Sequence, residues 1–235
     1  MAGRSAIATV TERISNVQRL PRPVPILTAL AFAVLASGNA RSATVSGRVT
    51  TPDGEGVAGA VVFVNEPAAP DAAAAAPRAE MNQVNKTFVP AVLPIVAGTR
   101  VYFPNSDQIQ HHVYSFSRTK SFELPLYRGE EAPPVTFDKP GVVKLGCNIH
   151  DWMSANILVL PSPHFAATDA EGRYTIRELP PGDYSLIAWH ERSREKTDEL
   201  TRAVKLPAAG AVVDFRMSLA AERKRPARHG VRTDP

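Results

Sequence analysis

Gly141-Val142-Val143-Lys144-Leu145-Gly146-Cys147-Asn148-Ile149-His150-Asp151-Trp152-Met153 is the stretch on which both fold and site turn. Val143, Leu145 and Cys147 recur with the period of a strand that buries one face, so the thiol points inward with the core. The strand opens on the turn signal Asp138-Lys139-Pro140-Gly141 and gives way to a loop carrying His150 and Met153. The apolar run at 157–160 then resumes as the next strand. Cys147 is the single cysteine of a 235-residue chain. A thiolate, an imidazole and a thioether therefore sit within one loop, and all three are transition-metal ligands.

A second source of imidazole lies upstream, in Gln110-His111-His112-Val113-Tyr114-Ser115-Phe116. His111 and Val113 share a strand face and His112 points away, which favours His111 as the ligand, though the choice between the two histidines stays open. Two imidazoles and a thiolate with a weak axial thioether make the trigonal set of electron-transfer copper. The candidate ligands are His111, Cys147, His150 and Met153. Each has a plainer reading, since a lone Cys is often a small buried hydrophobe and Met a filler of core gaps. What makes the signal specific is the joint occurrence: turn, alternating strand, Cys-x-x-His-x-x-Met, and the upstream Asn105-x-Asp107-x-x-x-His111-His112-Val113. His164, His190 and His229 have no partners at ligand spacing, and His190-Glu191 has no nucleophile nearby. Hydrolytic machinery of the Ser-His-Asp kind is absent, and no enzymatic activity is expected.

Residues 80–160 resemble the cupredoxins of the amicyanin/plastocyanin type, and the Cys-x-x-His-x-x-Met spacing is most similar to amicyanin. Gly98-Thr99-Arg100-Val101-Tyr102-Phe103-Pro104-Asn105 is similar to the family's Gly-x-x-Val-x-Phe-x-Asn, and His111-His112-Val113 stands where the family has His-Asn-Val. The chain departs from the family pattern with His112 for Asn, Gln110 for Pro and Asp151 for Pro. The resemblance implies one type 1 copper held by His111, Cys147, His150 and Met153, with electrons leaving through the ring edge of His150 beside Trp152. By analogy it also implies a protein redox partner, a dehydrogenase or a cytochrome.

Outside that segment the chain reads as further short strands. Val45-Ser46-Gly47-Arg48-Val49, the turn Pro52-Asp53-Gly54 and Ala60-Val61-Val62-Phe63-Val64 read as a hairpin. Residues 67–79, rich in Ala and Pro, read as a linker. Thr168-Asp169-Ala170-Glu171-Gly172-Arg173-Tyr174 and Leu179-Pro180-Pro181-Gly182-Asp183-Tyr184 repeat a turn-then-strand grammar, and strands are expected at 204–206 and 212–217. With Ser46-Gly47-Arg48-Val49 these segments resemble the transthyretin-like carboxypeptidase regulatory-like domain, in which they form one small sandwich. Here about a hundred residues intervene, which implies a second domain inserted in a sandwich loop, since lengthening a loop adds little closure entropy. The expected fold is thus all-β: a cupredoxin Greek-key barrel or sandwich (80–160) nested in a transthyretin-like sandwich split between 43–66 and 164–220.

Both ends differ in composition from this body. Arg4, Arg13, Arg19 and Arg22 precede the apolar run at 26–36, and Gly38-Asn39-Ala40 follows as a cleavage site. The run is shorter than the roughly 20 residues that span a bilayer, so residues 1–40 read as a signal peptide to the periplasm, with retention as an anchor the alternative. After cleavage no stable membrane span is expected. Export also suits a solitary thiol, because metal ligation protects it where disulfides form readily. Residues 221–235 are basic and expected to be disordered. The net charge of +4 resides in these two ends, leaving a slightly acidic body with no footprint for nucleic acid. The functional expectation is a one-electron carrier, with a non-redox copper store or an assembly scaffold as the alternative.

Overall fold

The computed structural model describes residues 42–66 and 76–222, so the expected signal peptide, most of the linker and the basic tail lie outside the described residues. Every regular element described is a strand. In order they are β1 (Ala43–Thr50), β2 (Val61–Val64), β3 (Arg78–Glu80), β4 (Asn82–Gln83), β5 (Phe88–Val89) and β6 (Val92–Val96). β7 (Thr99–Tyr102), β8 (His111–Phe116), β9 (Ser121–Tyr127), β10 (Val135–Phe137), β11 (Gly141–Cys147) and β12 (Ser154–Leu160) follow. β13 (Phe165–Ala167), β14 (Arg173–Leu179), β15 (Gly182–Trp189), β16 (Thr201–Leu206), β17 (Ala211–Val212) and β18 (Phe215–Arg216) complete the chain.

The strands from β3 to β12 pair only among themselves, as a five-stranded sheet β6-β12-β11-β8-β9, a three-stranded sheet β10-β7-β3 and the small pair β4-β5. The flanking segments pair with each other: β1 with β14, β17 and β18, and β2 with β13 and β15, which continues to β16. The fold is all-β and sandwich-like, and the described sheets close into no barrel.

Two expectations about the first sandwich are corrected. β1 and β2 are not a hairpin, because they lie in different sheets. The reason is burial: β1 alternates buried and open positions, whereas all four residues of β2 are buried. A strand with a core on each side reads as a continuous apolar run. Val62 and Val64 belong to the sandwich core with Val45, Val49, Ile176 and Leu186. Val61 and Phe63 face the other way and meet Leu158, Leu160 and Ile187 in a separate cluster. Leu158 and Leu160 are the outer face of β12, whose inner face, Ala155, Ile157 and Val159, joins the core around Cys147. One apolar seam thus fastens the outer sandwich to the sheet bearing the thiol. The second correction is a boundary: β3 begins at Arg78, inside the expected linker, because Arg78 stacks 3.8 Å above the Tyr102 ring and Ala79 packs on the inner core.

β6 and β9 have no clear signal in the sequence, and each carries a proline, Pro94 and Pro125. They occupy the two edges of the five-stranded sheet, where a residue without an N–H breaks no ladder. Leu160, fully buried in the seam, tests its importance: Leu160→Ala should cost about 2–5 kcal/mol. The check is a lowered urea midpoint at unchanged m-value.

Candidate metal centre

The site begins with strand register. β11 and β8 run antiparallel with Gly146 opposite Tyr114 and Cys147 opposite Val113. That pairing sends Cys147, Val113 and His111 inward and His112 and Tyr114 outward. The end of the Tyr114 side chain occupies the space a Cβ at Gly146 would need, its Cζ 2.7 Å from that position, so a larger residue would have to push the ring aside.

His111 is fully buried, Cys147 and Met153 are nearly so, and His150 is partly open. Cys147 Sγ lies 3.8 Å from His111 Nδ1 and 3.9 Å from His150 Nδ1, and the three ligand atoms fall within 4.8 Å of one another. The two imidazoles meet edge to face with centroids 5.0 Å apart. Bonds of about 2.3 Å to sulfur and about 2.0–2.1 Å to imidazole nitrogen, opened to a trigonal angle, span about 3.8 Å between sulfur and nitrogen. The donor atoms are therefore spaced for one metal ion between them. The Met153 N–H donates to His150 O at 2.9 Å, which turns the loop back and brings Met153 into the core that holds Cys147. His112 stands apart from this group, with Nε2 2.9 Å from Glu123 Oε1.

Around the ligands lies a set of polar side chains to which no role was assigned from sequence. His111 Nε2 is 2.8 Å from Asp107 Oδ2, which leaves Nδ1 facing the thiol. The same carboxylate accepts the backbone N–H groups of Asn85 at 2.6 Å and Lys86 at 2.8 Å. Those two residues have φ of 53° and 57°, so their successive N–H groups converge on one anion as a nest. Lys86 O in turn accepts the indole N–H of Trp152 at 3.2 Å, and the Trp152 ring lies 5.2 Å from that of His150. One chain of contacts so links the neighbours of both histidines. Partial burial works against an ionised Asp107, but the bonds from His111, Lys86 and Asn85 outweigh it and hold its carboxyl below the usual range. Burial lowers His150, and the charges of His111 and Lys86 lower it further, keeping the neutral imidazole that ligation needs.

Deeper still, Asn105 Nδ2 donates to Ile109 O at 2.9 Å and to Tyr127 O at 3.0 Å, while its Oδ1 accepts the Asp107 N–H at 3.0 Å. These bonds fix the loop between β7 and β8 that presents Asp107. Gln83, fully buried, donates to the Tyr127 hydroxyl, which donates to Phe103 O at 2.6 Å. Burial pushes Tyr127 up to about 12, so it stays protonated and keeps that donor role. The sequence signal for Asp107 was its place four residues before His111, legible only once the loop is known to bend back. Gln83 and Tyr127 carried none.

No protein-family model matches the chain, and no curated protein matches it. Among solved structures it is similar to the Cu-containing nitrite reductase from Thermus scotoductus SA-01, at 30% identity over 40% of this chain, with a TM-score of 0.34. This chain spans 25% of that protein's length. It is similar to a purple cupredoxin from Nitrosopumilus maritimus at 24% identity, covering 34% of this chain and 98% of that one, TM-score 0.31. An amicyanin variant in the reduced Cu(I) form matches at 19% identity over 43% of this chain and 97% of its own, TM-score 0.33. In each case the likeness takes in less than half of the chain.

Asp107 provides a pH-dependent test. A carboxyl held low in the fold stabilises it above the ordinary Asp range, and the contribution is lost as pH falls through the lowered value. In metal-free protein, Asp107→Asn should therefore cost about 1–2 kcal/mol at pH 7, discounted for partial exposure. Urea unfolding should show the gap narrowing below about pH 4; an equal gap at pH 3 would mean that ionisation of Asp107 is irrelevant.

Proposed function

We propose that this chain is an exported copper protein that carries single electrons, with one type 1 copper held by His111, Cys147, His150 and Met153. The observation that supports it most is the pair of sulfur-to-nitrogen separations, 3.8 and 3.9 Å, which three converging ligands of one small ion would show. Two imidazoles and a thiolate would also suit zinc. A methionine entering the same core from the ligand loop favours copper, because a weak thioether is the axial partner of electron-transfer copper.

When bound, copper supplies a one-electron couple between Cu(I) and Cu(II). The protein's part is to keep the ligand atoms still. Strand β11 fixes the thiol, Asp107 fixes the orientation of His111, and the hydrogen bond from Met153 to His150 fixes the loop. His150, partly open, is the ligand through which electrons would pass to a partner, with half-exposed Trp152 and Ile149 beside it. That partner would be a protein, a dehydrogenase or a cytochrome, and the setting would be the periplasm. No helix among the described residues is long and apolar enough to cross a membrane. On this reading the chain is a carrier and not an enzyme, and residues 80–160 form the copper domain within a split outer sandwich.

Copper loading should produce an intense visible thiolate-to-Cu(II) band that Cys147→Ser removes. A band that survives the substitution would sink the site, and zinc alone should give no colour. His111→Ala should abolish the band and His112→Ala should spare it; the opposite result would place the ligand one residue along the strand. Met153→Leu should leave a coloured protein with a raised reduction potential, because loss of a weak axial donor favours Cu(I). An unchanged potential in voltammetry would make Met153 a packing residue. Copper bound without reversible oxidation would assign the chain to storage.

A further inference from the structure

Two adjacent residues of β8 carry histidine–carboxylate pairs of nearly equal length in different settings. His111 Nε2 is 2.8 Å from Asp107 Oδ2, with side-chain exposures of 0% and 13%. His112 Nε2 is 2.9 Å from Glu123 Oε1, with exposures of 14% and 66%. Charges kept from water are screened far less than exposed ones. The Asp107 carboxylate therefore acts strongly on His111, while water and salt weaken the action of Glu123 on His112.

The buried pair is also joined to the ligand set. The imidazole of His111 turns Nε2 to Asp107 and Nδ1 to the thiol, 3.8 Å from Cys147 Sγ. A carboxylate that accepts the proton on one ring nitrogen makes the other nitrogen a more basic donor. At 2.8 Å the contact lies in the range of charge-assisted hydrogen bonds. Asp107 is itself held, because Oδ1 accepts the Asn85 N–H and Oδ2 that of Lys86. Among the described residues the histidine–carboxylate pairs are those of His111 and His112, so His150 has none. The two candidate imidazole ligands are thus chemically unequal, one backed by a largely buried anion and the other not.

We propose that Asp107 is a positioning residue that sets the reduction potential: through His111 its charge stabilises Cu(II) over Cu(I) and holds the potential low. The inference rests on the copper reading above. Cu(II) carries the greater charge and gains more from a basic nitrogen and a nearby anion. One electron is exchanged with the protein partner, or with an electrode, and the Nε2 proton of His111 stays in place in both states. Asp107→Asn keeps the shape and one oxygen for His111 while removing the charge. In the copper-loaded full chain it should keep the visible band and shift the equilibrium about tenfold toward Cu(I), the low end of what removing such a partner costs. Voltammetry would read that shift as a rise of about 59 mV. Glu123→Gln breaks an equally short pair on the neighbouring histidine and should leave the potential unmoved. In the unsubstituted Cu(I) protein, nitrogen-edited NMR should find the His111 Nε2 proton shifted downfield and protected from exchange. A potential unmoved by Asp107→Asn with the band intact, an equal rise in Glu123→Gln, or absence of that proton would each overturn the role of Asp107 and leave the copper reading standing. Loss of the band in Asp107→Asn would make Asp107 necessary to form the site and overturn a role confined to its potential. An unsubstituted chain that gives no thiolate-to-Cu(II) band overturns the copper reading and this inference with it.

Discussion

The register between β8 and β11 is the constraint from which the rest of the site follows. With Cys147 opposite Val113, the thiol and the His111 imidazole share one face of the sheet. A slip of one residue would carry every side chain of one strand to the other face, offering His112 in place of His111. Such a slip would also turn the inner row Val113 and Ser115 into solvent and bring exposed Phe116 into the core. Hydrophobic burial therefore specifies which histidine faces the thiol, and the Tyr114 side chain packs over Gly146 beside it.

Holding ligands still takes more than register, and here hydrogen bonds do the rest. His111 is anchored by Asp107, Asp107 by the amides of Asn85 and Lys86, and the loop that presents Asp107 by Asn105. His111 and Asn105 are buried and Asp107 is half-buried, each with a partner, the condition under which a polar network stiffens a fold. Side chains whose orientation is set by a surrounding shell are held to one geometry. The seam of Val61, Phe63, Leu158, Leu160 and Ile187 extends this support outward, because β12 leaves the ligand loop and runs directly into it. The outer sandwich thereby buttresses the sheet that carries the thiol.

The two halves of the described chain differ in where their polar chemistry lies. In the inner half it is buried, close to the core, and directed at one thiol and two imidazoles. In the outer half charge lies at the surface, as on the edge strand β16, where Arg202 is exposed and its Cζ lies 5.7 Å from the centre of the Phe215 ring. Charged groups remain at a sheet edge because the unpaired strand there is already solvated and blunted by charge.

The residues 141–153 by themselves determined much: an inward thiol from alternation, a turn before the strand, and a loop rich in ligand types. Alternation also separated His111 from His112. These were legible because they follow from period two and local turn chemistry. The proline-bearing edge strands β6 and β9 were not legible, since proline reads as a strand breaker until the sheet shows that position to be an edge. The pairing of β1 with β14 in place of β2, and the two-sided burial of β2, were decided only by tertiary packing, because a continuous apolar run does not say which sheets will flank it. The same holds for Asp107, Gln83 and Tyr127. Asp107 stands four residues before His111, a signal readable only once the loop before β8 is known to bend back, while Gln83 and Tyr127 meet from β4 and the end of β9, and a linear sequence carries no signal for contacts between segments so far apart along the chain.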